Sequence, residues 1–442
     1  MGSYEPPLFG TQKVNQAGHL EIGGCDTVAL AEEFGTPLYV LDEQHVRERC
    51  RSYLSAFRAL LPEVEVAYAG KALMCKAMCR LIQQEGMALD VASAGELYTA
   101  LQAGFPAGRI KFHGNFKSDQ ELALAVGESV GRVVVDSLSE MERLSVLAQA
   151  AGKQADILLR VAPGIKTQTH TYIQTGQQDS KFGLGLATGA AREGVRLALE
   201  LPGVKLRGLH SHIGSQLFGL DCFQKAAELM LEFMASIRDE FGALLGELDL
   251  GGGLGITYTN DDAPPSIEQL AQVTSAGLRI ACEQFDYPLP KLILEPGRSI
   301  VGTAGTTLYH VGPVKEIPGV RTYVAVDGGL SDNPRPALYG AEYMAVVANK
   351  ANQAPAEHAV RVAGKHCETD TLLPEVWIQP VAEGDVLAVF STGAYNYAMA
   401  SNYNRFCRPA MVLVNEGQAD LIVRRETLDD VVAQDVVPER LA

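Results

Sequence analysis

The stretch that decides the fold is Val64-Glu65-Val66-Ala67-Tyr68, which runs directly into Ala69-Gly70-Lys71. This short apolar run ends on a glycine and a lysine, as a buried strand with a polar end does. Seven further runs of the same kind follow, and segments with helical periodicity separate them. The seven are residues 88–92, 109–113, 132–136, 157–161, 206–213, 247–250 and 291–295.

Eight successive strand–helix repeats predict an α/β fold, a closed (β/α)8 barrel of the TIM type. Apolar positions recur at intervals of three and four in the intervening segments, for example 118–127, 138–150 and 223–241. The alternative is a doubly wound open sheet, which needs a Gly-rich dinucleotide turn after its first strand. Ala69-Gly70-Lys71 is not such a turn.

After Arg298 the pattern changes to short strands with turns between them, which predicts a separate all-β domain. The expected strands are 306–314, 321–326, 359–362, 384–390 and 410–414, with one helical segment at 394–403. We therefore divide the chain into three parts. Residues 1–35 form an N-terminal segment that pairs with the β domain, 36–300 form the barrel, and 301–442 form a β-sandwich or β-barrel-like domain.

Composition restricts the partners and the compartment. The chain has 442 residues, 47% of them hydrophobic, and a formal net charge of −16, which argues against a nucleic-acid or anionic-membrane partner. Eight cysteines are too few for a disulfide scaffold, and their spacing predicts no metal site. With no signal peptide and no apolar run of about 18 residues, we expect a cytoplasmic protein.

The strand ends carry the chemistry. Lys71 ends a buried strand, where loss of hydration favours a nucleophilic amine, although a solvated surface lysine fits that position equally well. Gly251-Gly252-Gly253 offers backbone amides to a phosphate, and Glu295 and Arg298 follow the last strand. A lysine, a phosphate cradle and an acid for a pyridine nitrogen together point to pyridoxal 5'-phosphate (PLP). His212 is either a group that stacks on that ring or a hydrogen-bonded core histidine.

These residues belong to longer motifs that match a known family. The motifs are Tyr68-Ala69-Gly70-Lys71, His113-Gly114-Asn115, Asp179-Ser180-Lys181-Phe182-Gly183, His210-Ser211-His212-Ile213-Gly214-Ser215-Gln216, Gly251-Gly252-Gly253, Glu295-Pro296-Gly297-Arg298, Arg335-Pro336-Ala337-Leu338-Tyr339, Cys367-Glu368-Thr369 and Gly393-Ala394-Tyr395. From about residue 20 to about residue 430, the chain resembles the barrel-type (fold-type III) PLP-dependent decarboxylases. This resemblance implies an alanine racemase-like two-domain architecture. It also implies, as the closest match, conversion of meso-2,6-diaminopimelate into L-lysine and CO2, the last step of lysine biosynthesis.

The resemblance also implies a role for each matching position. Lys71 holds PLP covalently, and Glu295 pairs with the pyridine nitrogen. His212 stacks on the ring, and Asp90 lies near Lys71 and the cofactor. Phosphate-binding residues are Ser215, Gly253, Gly297, Arg298 and Tyr395; substrate-binding residues are Arg298, Arg335, Tyr339, Glu368 and Tyr395. Cys367 is the acid that protonates the product carbon. In this family Cys367 and Glu368 come from the partner subunit, which implies a homodimer with shared active sites.

One motif departs from the family pattern, and two other functions stay open. Where the family has Cys-Glu-Ser-Gly-Asp, the chain has Cys367-Glu368-Thr369-Asp370-Thr371, which alters the local turn. A sister decarboxylase acting on ornithine, arginine, lysine or a carboxylated polyamine is one alternative function. The other is a catalytically silent PLP-binding regulator, although such a protein is expected to lose Lys71 or Cys367, and both are present.

Overall fold

The computed structural model describes residues 7–165 and 181–441 and divides the chain into two compact units. The barrel unit comprises Arg47–Ile256 and Ala263–Ile300, and the β unit comprises Met1–Val46, Thr257–Asp262 and Val301–Ala442. Asp179 and Ser180, which begin one of the family motifs, lie outside the described residues. No helix among the described residues combines the length and apolar composition needed to cross a bilayer.

The barrel unit is a closed ring of eight parallel strands, which confirms the predicted fold class. Closure comes from the pairing of the last strand with the first, Leu292 opposite Val64 and Leu294 opposite Val66. In chain order the eight barrel strands are Val64–Ala69, Ala88–Val91, Ile110–Phe112, Arg132–Val135, Ala155–Ala162, Val204–His210, Glu247–Asp249 and Lys291–Leu294. A ninth, two-residue strand, Leu184–Gly185, pairs with the fifth.

Helices alternate with the barrel strands, as the sequence periodicity predicts. They are Lys76–Gln84, Ala94–Gln102, Asp119–Gly127, Leu138–Ala150, Ala190–Glu200, Asp221–Phe241, Ile267–Gln284 and the short Arg298–Val301, with Glu43–Arg58 preceding the first strand. Several begin at a serine that accepts a hydrogen bond from the helix backbone, and Ser118 and Ser266 each form a reciprocal capping box. These caps satisfy amides that would lack a partner in the first turn.

The β unit contains two sheets. A small one joins Lys13–Val14, Leu20–Ile22 and Cys25–Asp26 and precedes the helix Thr27–Phe34. The strands of the larger sheet are Leu38–Asp42, Gly305–Ile317, Arg321–Val326, Ala345–Val347, Val360–Ala363, Thr371–Val376, Val386–Val389, Ala410–Asn415 and Gln418–Val423. Leu20 and Ile22 of the small sheet pack in one apolar core with Val40, Leu308 and Val412 of the larger sheet. Short helices Arg335–Tyr339 and Leu428–Val432 complete this unit.

The β unit differs from expectation in three respects. Leu38–Asp42, assigned by the 35/36 boundary to the barrel, pairs instead with the Gly305–Ile317 and Ala410–Asn415 strands. Strands Ala345–Val347, Thr371–Val376 and Gln418–Val423 were not anticipated. The helix expected at 394–403 is wrong: the segment holds one short 3-10 turn, Tyr397–Met399, because Tyr395 has a φ of 63°, which no right-handed helix accommodates.

A fully buried ion pair lies between the third and fourth barrel strands. The Lys117 Nζ donates to Glu140 Oε1 at 2.7 Å and to the backbone oxygens of Gly114 and Val134 at 2.9 and 2.8 Å. Burial lowers the pKa of Lys117 and raises the pKa of Glu140, while the attraction between the two opposes both shifts. Removing one partner leaves an uncompensated charge inside the protein.

Lys117→Met is therefore expected to lower the free energy of unfolding by about 3–5 kcal/mol. Urea denaturation measures the loss, and adding Glu140→Gln should recover part of it. The exposed Arg192–Glu240 pair supplies the control, since Arg192→Met should cost less than about 1 kcal/mol. Equal losses in Lys117→Met and Arg192→Met would contradict the assigned contribution of burial.

Candidate active site

Polar side chains converge at the carboxyl ends of the barrel strands. Glu295 directly follows the eighth strand and is buried, and it bridges two histidines from other strand ends. His113 Nε2 lies 2.7 Å from Glu295 Oε1, and His210 Nε2 lies 3.1 Å from Oε2. Asp90 Oδ1 of the second strand lies 3.6 Å from the same His113 nitrogen. Groups that are far apart in sequence thus form one hydrogen-bonded cluster.

The three buried carboxyl groups of this cluster, Asp90, Asp249 and Glu295, have different pKa values. Burial raises the pKa of Asp90 to about 6 against the opposing charge of His113, and burial together with the Glu295 charge raises the pKa of Asp249 well above its usual range. Burial alone would raise the pKa of Glu295 too, but His113 and His210 outweigh it and hold that pKa well below normal. Glu295 therefore has the lowest pKa of the three carboxyl groups, which is how unequal environments assign different roles to equal groups.

The loops that follow strands six, seven and eight touch one another. A Cβ added at Gly252 would lie 2.2 Å from the Glu295 backbone oxygen, and one at Gly253, whose φ is 132°, would lie 2.6 Å from the Gly214 oxygen. Arg298 donates from Nη2 and Nε to Ser215 Oγ at 3.0 and 3.3 Å. Gly253, Ser215 and Arg298, all expected at the phosphate, therefore line one small region.

Gly297 and Lys71 lie where the first and last strands meet. A Cβ at Gly297 would come within 3.0 Å of the Ala69 Cβ, so this position is closely packed against the first strand. Lys71 is exposed, and the expectation of a desolvated lysine is wrong, because the residue lies on the 3-10 turn Gly70–Ala72 beyond the buried strand. Its charge nevertheless acts on Asp90 and on His212.

His212 is partly buried in the same region. Burial and the charges of Lys71 and Arg160 hold the pKa of His212 well below its usual range, so the imidazole is neutral near pH 7. Gly251 leaves room for the ring, since a Cβ there would lie 2.7 Å from His212 Nδ1. A neutral, flat ring beside Lys71 suits stacking on an aromatic cofactor.

The cluster fits PLP better than it fits a metal ion. His113, His210 and Glu295 offer ligand atoms within 4.8 Å of one another, but hydrogen bonds from the two histidines already occupy both Glu295 oxygens. An ionised carboxylate suits a protonated pyridine nitrogen, and Ser215, Arg298 and the glycine loop suit a phosphate. The residues present therefore match the donor set that PLP requires.

Arg335, one of the residues expected to bind substrate, lies in the β unit. It is buried, donates to the Tyr343 hydroxyl at 2.6 Å, and lies over the Tyr258 ring with its guanidinium carbon 4.8 Å from the centroid. Tyr258 and Tyr343 meet edge to face at 5.4 Å. Burial raises the pKa of Tyr343 to about 12, so the Tyr343 hydroxyl that bonds to Arg335 is neutral, and the guanidinium lies against two aromatic rings.

The other candidate residues of the β unit lie on loops or short turns. Tyr339 ends the helix Arg335–Tyr339 and is partly buried. Tyr395 is held at a φ of 63°, a strained conformation that folded proteins retain mainly where function requires it. Cys367 and Glu368 are both exposed, and Glu368 Oε1 accepts a hydrogen bond from the Tyr403 hydroxyl.

Sequence reasoning missed several residues that hold the site together. His113 and His210 belong to the family motifs, but no role is predicted for either of them. The sequence does not single out Asp249, Tyr258 or Tyr343. For the histidines a signal was present, because each comes at the end of a barrel strand. For Tyr258 there was none, since the segment Thr257–Asp262 belongs to the β unit although barrel-unit residues flank it on both sides.

Comparisons with known proteins agree with this geometry. Residues 43–302 match the family model of the pyridoxal binding domain of pyridoxal-dependent decarboxylases. Over 430 residues the chain is 48% identical to diaminopimelate decarboxylase of Bacillus subtilis, an alignment covering 97% of this chain and 98% of that protein.

Two solved structures extend the comparison. Diaminopimelate decarboxylase of M. jannaschii in complex with L-lysine superposes with a TM-score of 0.91 at 36% identity, over 98% of this chain and 99% of the other. The lysine/ornithine decarboxylase of Vibrio vulnificus, complexed with putrescine, gives 0.74 at 25% identity, over 88% and 97%. The chain is a member of the PLP-dependent decarboxylase family and, within it, belongs with the diaminopimelate decarboxylases.

Proposed function

We propose that the protein uses PLP to decarboxylate meso-2,6-diaminopimelate to L-lysine and CO2. The observation that carries the reaction type is Glu295, whose pKa two histidines hold below those of the other buried carboxyl groups, Asp90 and Asp249. Support for the substrate comes from the relatives named for it and from the buried guanidinium of Arg335, which suits a carboxylate.

Bound PLP supplies a ring that accepts the electron pair left behind when the α-carboxylate leaves as CO2. Glu295, ionised between His113 and His210, keeps the proton on the pyridine nitrogen and so keeps the ring electron-withdrawing. Neutral His212 stacks without adding a competing charge. Lys71 would hold the cofactor covalently, and Asp90 lies within range of the Lys71 charge.

We assign the remaining roles by the matching motifs. Arg298 and Ser215 bind the phosphate with Gly253, Gly297 and Tyr395, and Arg298 also binds substrate. Arg335 and Tyr339 bind substrate carboxylate, for which a planar guanidinium is better suited than a lysine. Glu368 recognises the distal ammonium, and Cys367 returns a proton to the carbon that lost CO2.

We further propose a homodimer in which Cys367 and Glu368 serve the partner subunit's site. Their exposure on the single chain supports this, because neither side chain is covered by its own fold. The cytoplasm is the proposed compartment: all eight cysteines are unpaired, including five that are buried, as expected where thiols stay reduced.

A sister decarboxylase for ornithine, arginine or lysine is the competing function. Steady-state assays of CO2 release should give a kcat/KM for meso-diaminopimelate at least about 100-fold above those for the three competitors, since a second α-amino-acid end adds charge-assisted hydrogen bonds. A higher kcat/KM for any of the competitors would overturn the substrate assignment. PLP absorbance in the purified protein without turnover of any of these substrates would favour the silent PLP-binding regulator instead.

Glu295→Gln tests the ionised carboxylate. The amide keeps the shape but not the charge, so kcat should fall by about 100-fold or more while PLP absorbance persists. Asp249→Asn is the matched control, because burial already favours the neutral form of Asp249. In the wild type the Gly251 N–H donates to Asp249 Oδ1 at 2.8 Å, and the amide oxygen of asparagine can accept the same hydrogen bond. Comparable losses in the two variants would show that the charge of Glu295 is not what matters.

Cys367→Ala should slow turnover while leaving PLP absorbance intact, since the thiol acts on the substrate carbon and not on cofactor binding. Lys71→Ala should remove both turnover and the absorbance of lysine-bound PLP. Mixing the two variants under subunit exchange should restore up to about a quarter of wild-type activity, because half the dimers then carry one complete site. No recovery despite proven exchange would contradict shared sites.

A further inference from the structure

The segment that carries Cys367 and Glu368 is a three-residue exposed tip on a buried base. Cys367, Glu368 and Thr369 are exposed, whereas His366 and Asp370 on either side are buried. This is also where the chain departs from the family's Cys-Glu-Ser-Gly-Asp, with its aspartate at 370 and no glycine in the turn. Something other than a flexible glycine must therefore shape the tip.

His366 and Asp370 join the two ends of the tip. His366 Nδ1 lies 2.5 Å from Asp370 Oδ2, and the His366 backbone N–H donates to the same oxygen at 3.2 Å. The backbone adds two short links, from the Gly364 N–H to the Asp370 oxygen and from the Asp370 N–H to the Glu368 oxygen, each 2.8 Å. One carboxylate thus closes the turn that presents Cys367 and Glu368.

The second oxygen of Asp370 holds another segment. Asp370 Oδ1 accepts from the Leu330 N–H at 2.9 Å, five residues before Arg335. A Cβ at Gly329 or Gly364 would lie 2.0 or 2.1 Å from Asp370 Oδ2, so the carboxylate fills the space those two glycines leave. The side chain therefore links the Arg335 segment to the Cys367–Glu368 tip within one unit.

The outer side of the tip is held by aromatic contacts. The His366 ring stacks on the Tyr403 ring at 5.9 Å and meets Phe406 edge to face at 4.9 Å. The Tyr403 hydroxyl donates to Glu368 Oε1, and the Cys367 N–H donates to Asn404 Oδ1 at 3.2 Å. The His366 imidazole therefore bonds to Asp370 and also packs against Tyr403, whose hydroxyl orients Glu368.

We propose that Asp370, acting through His366 and Leu330, is a positioning residue that sets Glu368 for the substrate's distal ammonium and Cys367 for its reacting carbon. The inference rests on the proposed function. The family motif shapes this turn with a Ser-Gly pair. In this chain, which lacks that pair, the buried carboxylate of Asp370 holds the turn instead. Asp370 acts on both functional groups without contacting substrate.

The test measures how well the holoenzyme distinguishes L-lysine from 6-aminohexanoate. The carbon that loses CO2 becomes the ε-carbon of lysine, so the distal ammonium of the substrate is the α-ammonium of lysine, and 6-aminohexanoate lacks only that group. In the wild type, the Kd measured by calorimetry should be about tenfold or more lower for L-lysine than for the ligand without the distal amine, because a charge-assisted hydrogen bond contributes that much to binding. In Asp370→Asn the ratio should fall towards one, and KM for meso-diaminopimelate should rise with PLP absorbance unchanged. In a Glu368→Gln background, Asp370→Asn should change the ratio no further.

Asp385→Asn is the matched control for general loss of stability. Asp385 is another buried carboxylate of the β unit, and it accepts from the Ala382 N–H at 2.7 Å. The Asp385→Asn variant should have a lower melting temperature yet keep the ratio of the Kd values for lysine and 6-aminohexanoate intact. An unchanged ratio in Asp370→Asn, or an equal loss in Asp385→Asn, overturns the proposal.

A second pair of variants keeps the test decisive if Asp370→Asn fails to fold. His366→Asn keeps a donor for Asp370 but loses the ring that packs on Tyr403, whereas His366→Leu loses both. We therefore expect His366→Asn to preserve more of the ratio than His366→Leu does. Equal behaviour of these two variants also overturns the proposal. A wild-type enzyme that forms no lysine from meso-diaminopimelate would refute the proposed function instead, so the two failures remain distinct.

Discussion

Closure of the barrel is the constraint on which the active site depends. When Lys291–Leu294 pairs with Val64–Ala69, the eighth strand end is brought beside the first, and all eight carboxyl ends face one side. Glu295 can then reach His113 and His210, whose strands are third and sixth in the ring. An open sheet with the same strands would leave Glu295 and Lys71 at opposite edges.

Within that ring, environment assigns the chemistry. Asp90, Asp249 and Glu295 are all buried carboxyl groups, and burial pushes the pKa of each upward. Only Glu295 receives hydrogen bonds from two imidazoles, and these more than offset the desolvation. Glu295 thus has the lowest pKa of the three carboxyl groups, whereas burial favours the neutral form of its neighbour Asp249.

In the β unit, too, buried contacts hold the candidate functional groups in place. Arg335 is enclosed by Tyr258 and Tyr343, so its planar donor group is held in one orientation. Asp370 lies beneath Cys367 and Glu368 and also holds the backbone at Leu330. Rigid support of this kind lowers the entropy lost when a substrate is bound.

The sequence by itself determined the repeating strand–helix order, because barrel strands buried on both faces read as apolar runs and each run ends in a recognisable polar residue. It also determined the candidates Lys71, His212, Glu295 and Arg298, which lie in contiguous motifs. Edge strands of the β unit escaped prediction, since Ala345–Val347 has only three residues and Gln418–Val423 lacks a distinct alternation of burial.

Only the tertiary structure decided which of the buried carboxyl groups has the lowest pKa, that Lys71 is exposed, and which residues hold Arg335 and the Cys367–Glu368 tip. These properties depend on distances between residues far apart in the chain, such as His113 to Glu295 or Leu330 to Asp370. Local sequence carries chain order and side-chain chemistry. Electrostatic environment and hydrogen-bond partners arise only when folding brings distant segments together.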